Sequence, residues 1–337
     1  MSSQMDAIVI TSFGEPSVLQ SQQVPTPIPT AGHVLIHVRA FGLNHAEMHM
    51  RRGEWDEWNA ISGLECVGTV SADPTGTFPA STTVVAVMGG MGRSIPGGYG
   101  EYVNVPVSNV VAVMTRLSWA DLAALPEVYS TAYTCVHTIL DIQAGQRVLV
   151  RGATSTIGQA AVHLAVSAGA RVTGTTRREG RFQMLRDMGV ESAMLEEDVL
   201  AARFTGPSTG TGTGTAEKFD KTLNLVGNRV LLDSIRVTRA GGRMLQAGWL
   251  GGLAPLKDFN PMIEMDSGVH FSLFHSKNLG GGEFPMSGIP LQKIVEQIEE
   301  GAWNAKPTHV FDARDIVEAH TLLESHDAGG KIVIVRS

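Results

Sequence analysis

The sequence predicts an α/β protein in which a small β-barrel-like domain is followed by a doubly wound parallel sheet. Three observations carry that expectation. A chain of 337 residues exceeds what one hydrophobic core usually fills, so two domains are the starting point. Short β-branched runs separated by Gly and Pro crowd the first third. From about Trp119 the texture changes to alternating strand-like and helix-like segments, the pattern that generates a parallel sheet covered by helices.

In the first third, Asp6–Thr11, the alternating His33–Ala40, Thr82–Val87, Tyr102–Val105 and Val110–Val113 read as strands. Val148–Val150 is the first strand of the second texture. A helix over Gln159–Ala168 closes at Gly169, Arg171–Thr176 is the next strand, and a helix over Arg181–Met188 closes at Gly189. Phe219–Val226 and Arg243–Ala247 follow as strands, joined by a helix near Val230–Val237. Between them the Gly/Thr/Ser tract Gly206–Ala216 has nothing to bury and reads as a surface loop. Pro255–Pro290 is rich in Gly, Met and Phe without clear periodicity. The final segment, Pro307–Ser337, reads strand, helix, strand and resembles a return to the first domain. The division expected is 1–120, 121–290 and 291–337.

Hydrophobic residues make up 43% and charged residues 18%, which describes a chain that buries a core. A formal charge of -7 and a pI near 5.9 supply no basic field for nucleic acid or an anionic membrane, so a small metabolite is the partner expected. The start, MSSQMDAIVITSF, has no basic n-region or long apolar run, and no stretch approaches bilayer-spanning length, so a cytoplasmic protein is expected. Cys66 and Cys135 stand far apart outside any CxxC pairing, which suits buried thiols in a reducing compartment.

The run VLVRGATSTIGQAAVHLAVSAGARVTGTTRR places a tight turn between a buried strand and a helix. The GxGxxG of a Rossmann dinucleotide site survives there in degraded form, with Ala153, Ser155 and Gly158 at the glycine positions. Strand-turn-helix units with small residues also occur as plain packing. The helix N-terminus there offers N–H groups to a pyrophosphate, and Thr156 and Ile157 are cofactor-binding candidates beside it. At the end of the second strand, where NAD-binding folds carry an acid, Thr176 is followed by Arg177 and Arg178. Guanidinium groups there would pair with a 2′-phosphate, which favours NADPH over NADH; a solvated basic turn is the alternative, and Arg181 adds to either.

The motifs GLNHAEMHMRRGEW (Gly42–Trp55), GLECVGTV (Gly63–Val70), GGYGEYV (Gly97–Val103), LPEVYSTAY (Leu125–Tyr133), RGATSTIG (Arg151–Gly158) and AGGKIVIV (Ala328–Val335) run nearly end to end. Together they resemble the zinc-free quinone oxidoreductase branch of the medium-chain dehydrogenases/reductases. The resemblance implies a GroES-like catalytic domain, a Rossmann cofactor domain and a homodimer. Where zinc-dependent relatives carry ligands, this chain has Asn44, Leu64 and Glu127, and one carboxylate cannot replace three donors, so no metal is expected.

By the same resemblance Asn44 sits near the nicotinamide and acceptor, with Tyr129 and Thr131 by the nicotinamide ribose. Leu225, Val226, Ala247 and Gly248 line the cofactor groove, and Lys331 is a cation near the pyrophosphate. A satisfied buried polar network is the plain alternative for the polar members. Trp55 occupies a place where related reductases carry a tyrosine. It has no titratable proton, which favours quinones, able to draw protons from solvent, over enoyl substrates that need an acid; Tyr129 or Tyr99 could substitute. Phe271 and Phe274 are candidate walls of the acceptor pocket or ordinary core. The leading expectation is therefore an NADPH-dependent, metal-free reductase of quinones or conjugated acceptors, with catalytic candidates Asn44, Trp55 and Tyr129. An enone reductase and a cofactor-binding sensor with little turnover stand beside it.

Overall fold

A computed structural model describes residues 3–204, 217–325 and 327–336, which divide into two compact units, residues 1–130 with 276–337 and residues 131–275. The tract 206–216 lies outside the described residues.

The first unit opens with an antiparallel pair, β1 (Gln4–Ile10) and β2 (Leu19–Pro25). The main sheet begins with β3 (His33–Gly42), helix α1 (His45–Arg51), β4 (Glu65–Ala72), β5 (Thr83–Val87), β6 (Tyr102–Pro106) and β7 (Val110–Ala112). β3 pairs antiparallel with both β4 and β6. The two-residue rhythm of β6 buries Val103 and Val105 against Ile36, Val38 and Val84, the half-buried alternation expected of an antiparallel sheet. β2, LQSQQVP, had no such signature because most of its residues face solvent. Helices α2 (Trp119–Ala123) and α3 (Pro126–Tyr133) follow.

The second unit is a six-stranded, wholly parallel sheet of β8 (Arg147–Arg151), β9 (Arg171–Thr176), β10 (Ser192–Leu195), β11 (Phe219–Asn224), β12 (Thr238–Gln246) and β13 (His270–Leu273). Its order is β10-β9-β8-β11-β12-β13, so the strand order reverses between β8 and β11, where ligands of open α/β sheets bind at the C-terminal ends. Helices α4 (Thr156–Ser167), α5 (Phe182–Asp187), α6 (Leu231–Arg236) and α7 (Pro261–Glu264) join the strands. The short strands β10 and β13 lie at the edges, where the sequence held no strand signal.

The chain then returns to the first unit through α8 (Leu291–Glu299), β14 (His309–Asp312), α9 (Ile316–Ser325) and β15 (Ile332–Val335). β15 pairs with β14 on one side and with β3 on the other, and Ile332 and Ile334 join the core that Phe41 and Tyr99 share. Both cysteines are buried, and they form no disulfide. No helix among the described residues is long and apolar enough to cross a membrane.

Candidate active site

In the second unit, Ser155 caps α4, its hydroxyl accepting from Gly158 N at 3.1 Å. That leaves the N–H groups of Thr156 and Ile157 at the helix start without intrahelical acceptors. Gly158 is needed for a close approach: a Cβ there would collide with the Gly152 carbonyl oxygen and stand 2.8 Å from Ala153 Cα. Ala153, fully buried, donates its N–H to Thr175 O. Thr154 Oγ1 meets Thr176 Oγ1 at 3.3 Å, which fastens the turn to the end of β9. Arg177 and Arg178 follow immediately, both exposed and neither with an acidic partner among the described residues. Arg181 leans along its own turn towards Met184 Sδ.

The same sheet edge collects the remaining cofactor candidates. Leu225 N donates to Arg151 O, Ala247 N to Asn224 O, and Leu250 N to Leu225 O, so Leu225, Val226, Ala247 and Gly248 share one edge with the 152–158 turn. Beneath it lies a group that sequence reasoning missed. Arg151, fully buried, is paired to Asp233 Oδ2 at 2.6 Å and to Glu196. Glu196 also accepts from Thr175 Oγ1, whose oxygen accepts Gly152 N at 3.0 Å. The turn is thus tied to a buried ion triad. The residues present fit a dinucleotide: open helix N–H groups, small residues at the turn, and beside it guanidinium groups with no acidic partner among the described residues.

In the first unit, Asn44 caps α1, and the carboxylate of Glu47, three residues on, accepts from Asn44 N at 3.0 Å. This reciprocal capping box fixes Asn44, whose Oδ1 accepts from Lys331 Nζ at 2.8 Å and whose Nδ2 donates to Glu65 Oε1 at 3.0 Å. Lys331 Nζ also reaches Glu65 Oε1 at 2.6 Å, and Glu65 Oε2 accepts Glu127 N at 2.8 Å. The ammonium expected near a pyrophosphate is therefore committed to Glu65 and Asn44. Gly42 makes room for this pair, since a methyl there would strike Lys331 Cε and Glu65 Oε1.

Glu47 is fully buried and accepts Leu64 N at 3.0 Å and the Tyr99 hydroxyl at 3.1 Å. Burial pushes its carboxyl up to about 7, against the pull of the Asn44 and Leu64 amides. Tyr99 OH lies 2.7 Å from His320 Nε2, and burial drives that imidazole down to about 3, so it is neutral. Tyr99 is fully buried with its hydroxyl raised well above the usual phenol range by burial and then by Glu47. It belongs to the core and not to a substrate pocket, a correction to its candidacy as a wall or proton donor. Glu47 lies within GLNHAEMHMRRGEW and Glu65 within GLECVGTV; the Asn-x-x-Glu spacing is the sequence signal for the first, and His320 carries none.

The remaining candidates scatter. Trp55 is half-buried, its ring stacked on His49 with centroids 5.1 Å apart, and Arg93 lies over it. Tyr129 is buried and stacked parallel on Trp303, and burial raises its hydroxyl. Thr131 is buried and is the first residue of the second unit. Phe271 is 41% exposed on the edge strand β13. It borders a surface depression of about 370 Å³ with Ile139, Gly241, Arg243, His270 and Ser272. That depression adjoins the first rungs of β13, not the C-terminal strand ends. Phe274 is buried at 4% exposure, as core packing requires.

At the three zinc-ligand positions the donor set does not fit a metal: Leu64 is apolar and buried, and the Asn44 amide is held by Lys331 and Glu65.

Comparison with known proteins extends this picture. A model of alcohol dehydrogenase GroES-like domains matches residues 30–115, and one described as zinc-binding dehydrogenase matches residues 198–334. Quinone oxidoreductase of Homo sapiens is 25% identical over 343 residues, covering 98% of each chain. The pikromycin polyketide synthase component PikAII of Streptomyces venezuelae is 26% identical over 306 residues, 90% of this chain but 8% of that protein. The chain thus spans about a tenth of the polyketide synthase it matches. Among solved structures, the quinone oxidoreductase from Coxiella burnetii is 23% identical with a TM-score of 0.79 over 99% of both chains. The CurK enoyl reductase is 23% identical with a TM-score of 0.79, over 99% of this chain and 100% of that one. The mycobacterial protein Rv1454c, complexed with NADPH, is 22% identical with a TM-score of 0.79, over 98% and 99%. These structural likenesses establish the fold.

Proposed function

Because this chain belongs to the medium-chain dehydrogenase/reductase family and is quinone oxidoreductase-like, we propose that it is a cytoplasmic, NADPH-dependent reductase of quinones or other activated conjugated acceptors, working without a metal. NADPH, when bound, supplies the hydride. The Thr156 and Ile157 N–H groups hold the pyrophosphate at the start of α4. Arg177 and Arg178 pair with the 2′-phosphate in two-pronged fashion. Leu225, Val226, Ala247 and Gly248 exclude water along the strand ends.

The observation that carries the reading is the Asn44 network. Where a zinc-dependent relative would polarise a carbonyl through a thiolate-bound metal, this chain holds an amide fixed by Lys331 and Glu65. Such an amide orients an acceptor but polarises it weakly, so the acceptor must be electrophilic already. Trp55 offers no titratable proton, and the hydroquinone monoanion left by hydride transfer to a quinone draws its one remaining proton from water. The likeness to the CurK enoyl reductase and to polyketide synthases supports double-bond reduction as a second reading.

A homodimer through the edge of the second unit completes the proposal. β13 is an open edge carrying Phe271 and Leu273 at 41% and 56% exposure, and α7 presents Met262 and Ile263 at 90% and 80%. The test of function is NADPH and NADH oxidation by the purified protein with an ortho-quinone and with an α,β-unsaturated ketone. NADPH-selective turnover of the quinone supports the reading; preference for the ketone moves the protein to the double-bond reductases. Tight NADPH binding with no turnover of either would make it a sensor.

A further inference from the structure

Gly152 opens the turn after β8 with a φ of 79°, and both of its backbone polar groups are claimed. Its N–H donates to Thr175 Oγ1 at 3.0 Å. Its carbonyl accepts the Ser155 hydroxyl at 2.8 Å and the Ser155 N–H at 3.0 Å, and Ser155 Oγ in turn accepts Gly158 N at the start of α4. On the other side, Thr175 Oγ1 donates to the Glu196 carboxylate. That carboxylate is held by the Arg151 guanidinium, through Nε at 3.0 Å and through Nη2, and Arg151 is itself fixed by Asp233 at 2.6 Å. Thr175 and Arg151 are fully buried, and the Glu196 side chain is 3% exposed.

The carboxylate fixes the sense of these bonds. A carboxylate paired to a guanidinium accepts hydrogen bonds and donates none, so the Thr175 hydroxyl gives its one proton to Glu196 and leaves its oxygen facing the Gly152 amide. Gly152 needs such a tether, because a glycine moves between positive and negative φ at little cost and has no side chain to hold it. Buried ion pairs add little net stability over apolar side chains of similar volume. What Arg151 and Glu196 add here is the orientation of one hydroxyl. Arg177 and Arg178 follow the end of β9 and take no part in these bonds.

Resting on the reading of residues 152–158 as the pyrophosphate turn, we infer that Thr175 is a positioning residue for the cofactor, oriented by Glu196 and Arg151. It sets the Gly152 peptide and, through Ser155, the start of α4 where the pyrophosphate is to lie. Being fully buried, Thr175 does not touch the cofactor and acts through the backbone. Its loss therefore falls on ligands that carry a 5′-pyrophosphate and spares those that carry only the 2′-phosphate.

Calorimetric titration of the whole protein with three ligands tests this without turnover: NADPH, ADP-ribose, which has the pyrophosphate alone, and adenosine 2′-monophosphate, which has no 5′-phosphate. In Thr175→Val, which keeps the branched shape of the side chain and removes the hydroxyl, Kd for NADPH and for ADP-ribose rises at least tenfold and by similar factors. Adenosine 2′-monophosphate changes by less than about twofold. Thr175→Ser restores the hydroxyl and binds all three as the native protein does. Glu196→Gln, whose amide can turn a donor towards Thr175, falls between, and it carries the same test if Thr175→Val fails to fold by far-UV circular dichroism. Unchanged ADP-ribose affinity in folded Thr175→Val overturns the inference, and so does an equal loss for all three ligands, the mark of a generally loosened unit. A native protein that binds neither NADPH nor ADP-ribose overturns the cofactor reading and the inference together. ADP-ribose binding that Thr175→Val weakens selectively supports the inference even where no quinone or enone is reduced and the proposed activity fails.

Discussion

Lys331 Nζ stands 2.6 Å from Glu65 Oε1, with both side chains almost wholly withdrawn from solvent. Two such charges are tolerable in the interior only as a pair. Lys331→Met leaves the Glu65 carboxylate buried and uncompensated and releases Asn44, and the expected loss is about 3–5 kcal/mol of stability, read from urea denaturation. Adding Glu65→Gln to Lys331→Met should recover a large part of it. A Lys331→Met variant as stable as the native protein would show that the pair contributes nothing.

Gly158→Ala tests the turn proposed to hold the cofactor. Its methyl would press on the Gly152 carbonyl and on Ala153, so helix α4 must move away from β8 or the turn must open. Overpacking of this kind costs about 1–3 kcal/mol, and we expect at least a tenfold loss in NADPH affinity measured by fluorescence titration. Undiminished affinity would detach the turn from cofactor binding.

Arg177→Ala combined with Arg178→Ala should weaken NADPH strongly and leave NADH nearly unchanged, because only NADPH carries the 2′-phosphate these exposed guanidinium groups would meet. Equal losses for both cofactors would refute the phosphate role. High salt should narrow the proposed NADPH preference of the native protein, as screening of exposed charges requires.

Glu47 makes the fold sensitive to pH in a defined direction. Its carboxyl rises from the ordinary 4.5 to about 7 in the folded chain, so the folded state holds its proton more tightly than the unfolded one. The resulting stabilisation is full below pH 4.5 and is lost as pH rises through 7. The stability gap between the native protein and Glu47→Gln should therefore shrink by roughly 2–3 kcal/mol from pH 5 to pH 8, whatever the fixed cost of the amide. Parallel chemical denaturation at the two pH values measures it, and a gap that stays constant or widens would show that Glu47 is ionised throughout.

How far the sequence discloses such features depends on their range. β9, Arg171–Thr176, and the helix stop at Gly169 were legible because apolar spacing and a C-terminal glycine are local signals. Edge strands were not: β2 faces water along most of its length, and the four residues of β13 are too short to establish a period. The candidate site divides in the same way. The turn at Ala153–Gly158 could be found from a motif, whereas Arg151 inside that motif gave no hint of its pairing with Asp233, 82 residues away. A tyrosine within GGYGEYV suggests chemistry, so Tyr99 reads from sequence as a pocket residue. Its hydroxyl instead reaches Glu47 and His320, and no spacing rule connects residues 221 positions apart.

The pairing of β15 with β3 bears on the order in which the molecule is made. Synthesis delivers β3 early and β15 only after the whole second unit has emerged, so the parallel sheet can be finished on the ribosome while the Ala40–Gly42 end of β3, beyond its pairing with β6, still waits unpaired on that edge. An open strand edge is a template for pairing with other chains, and long-range partners that arrive late prolong that exposure. Nascent chains halted before Ile332 should therefore be the aggregation-prone species of this protein, with the cofactor-binding half already folded within them.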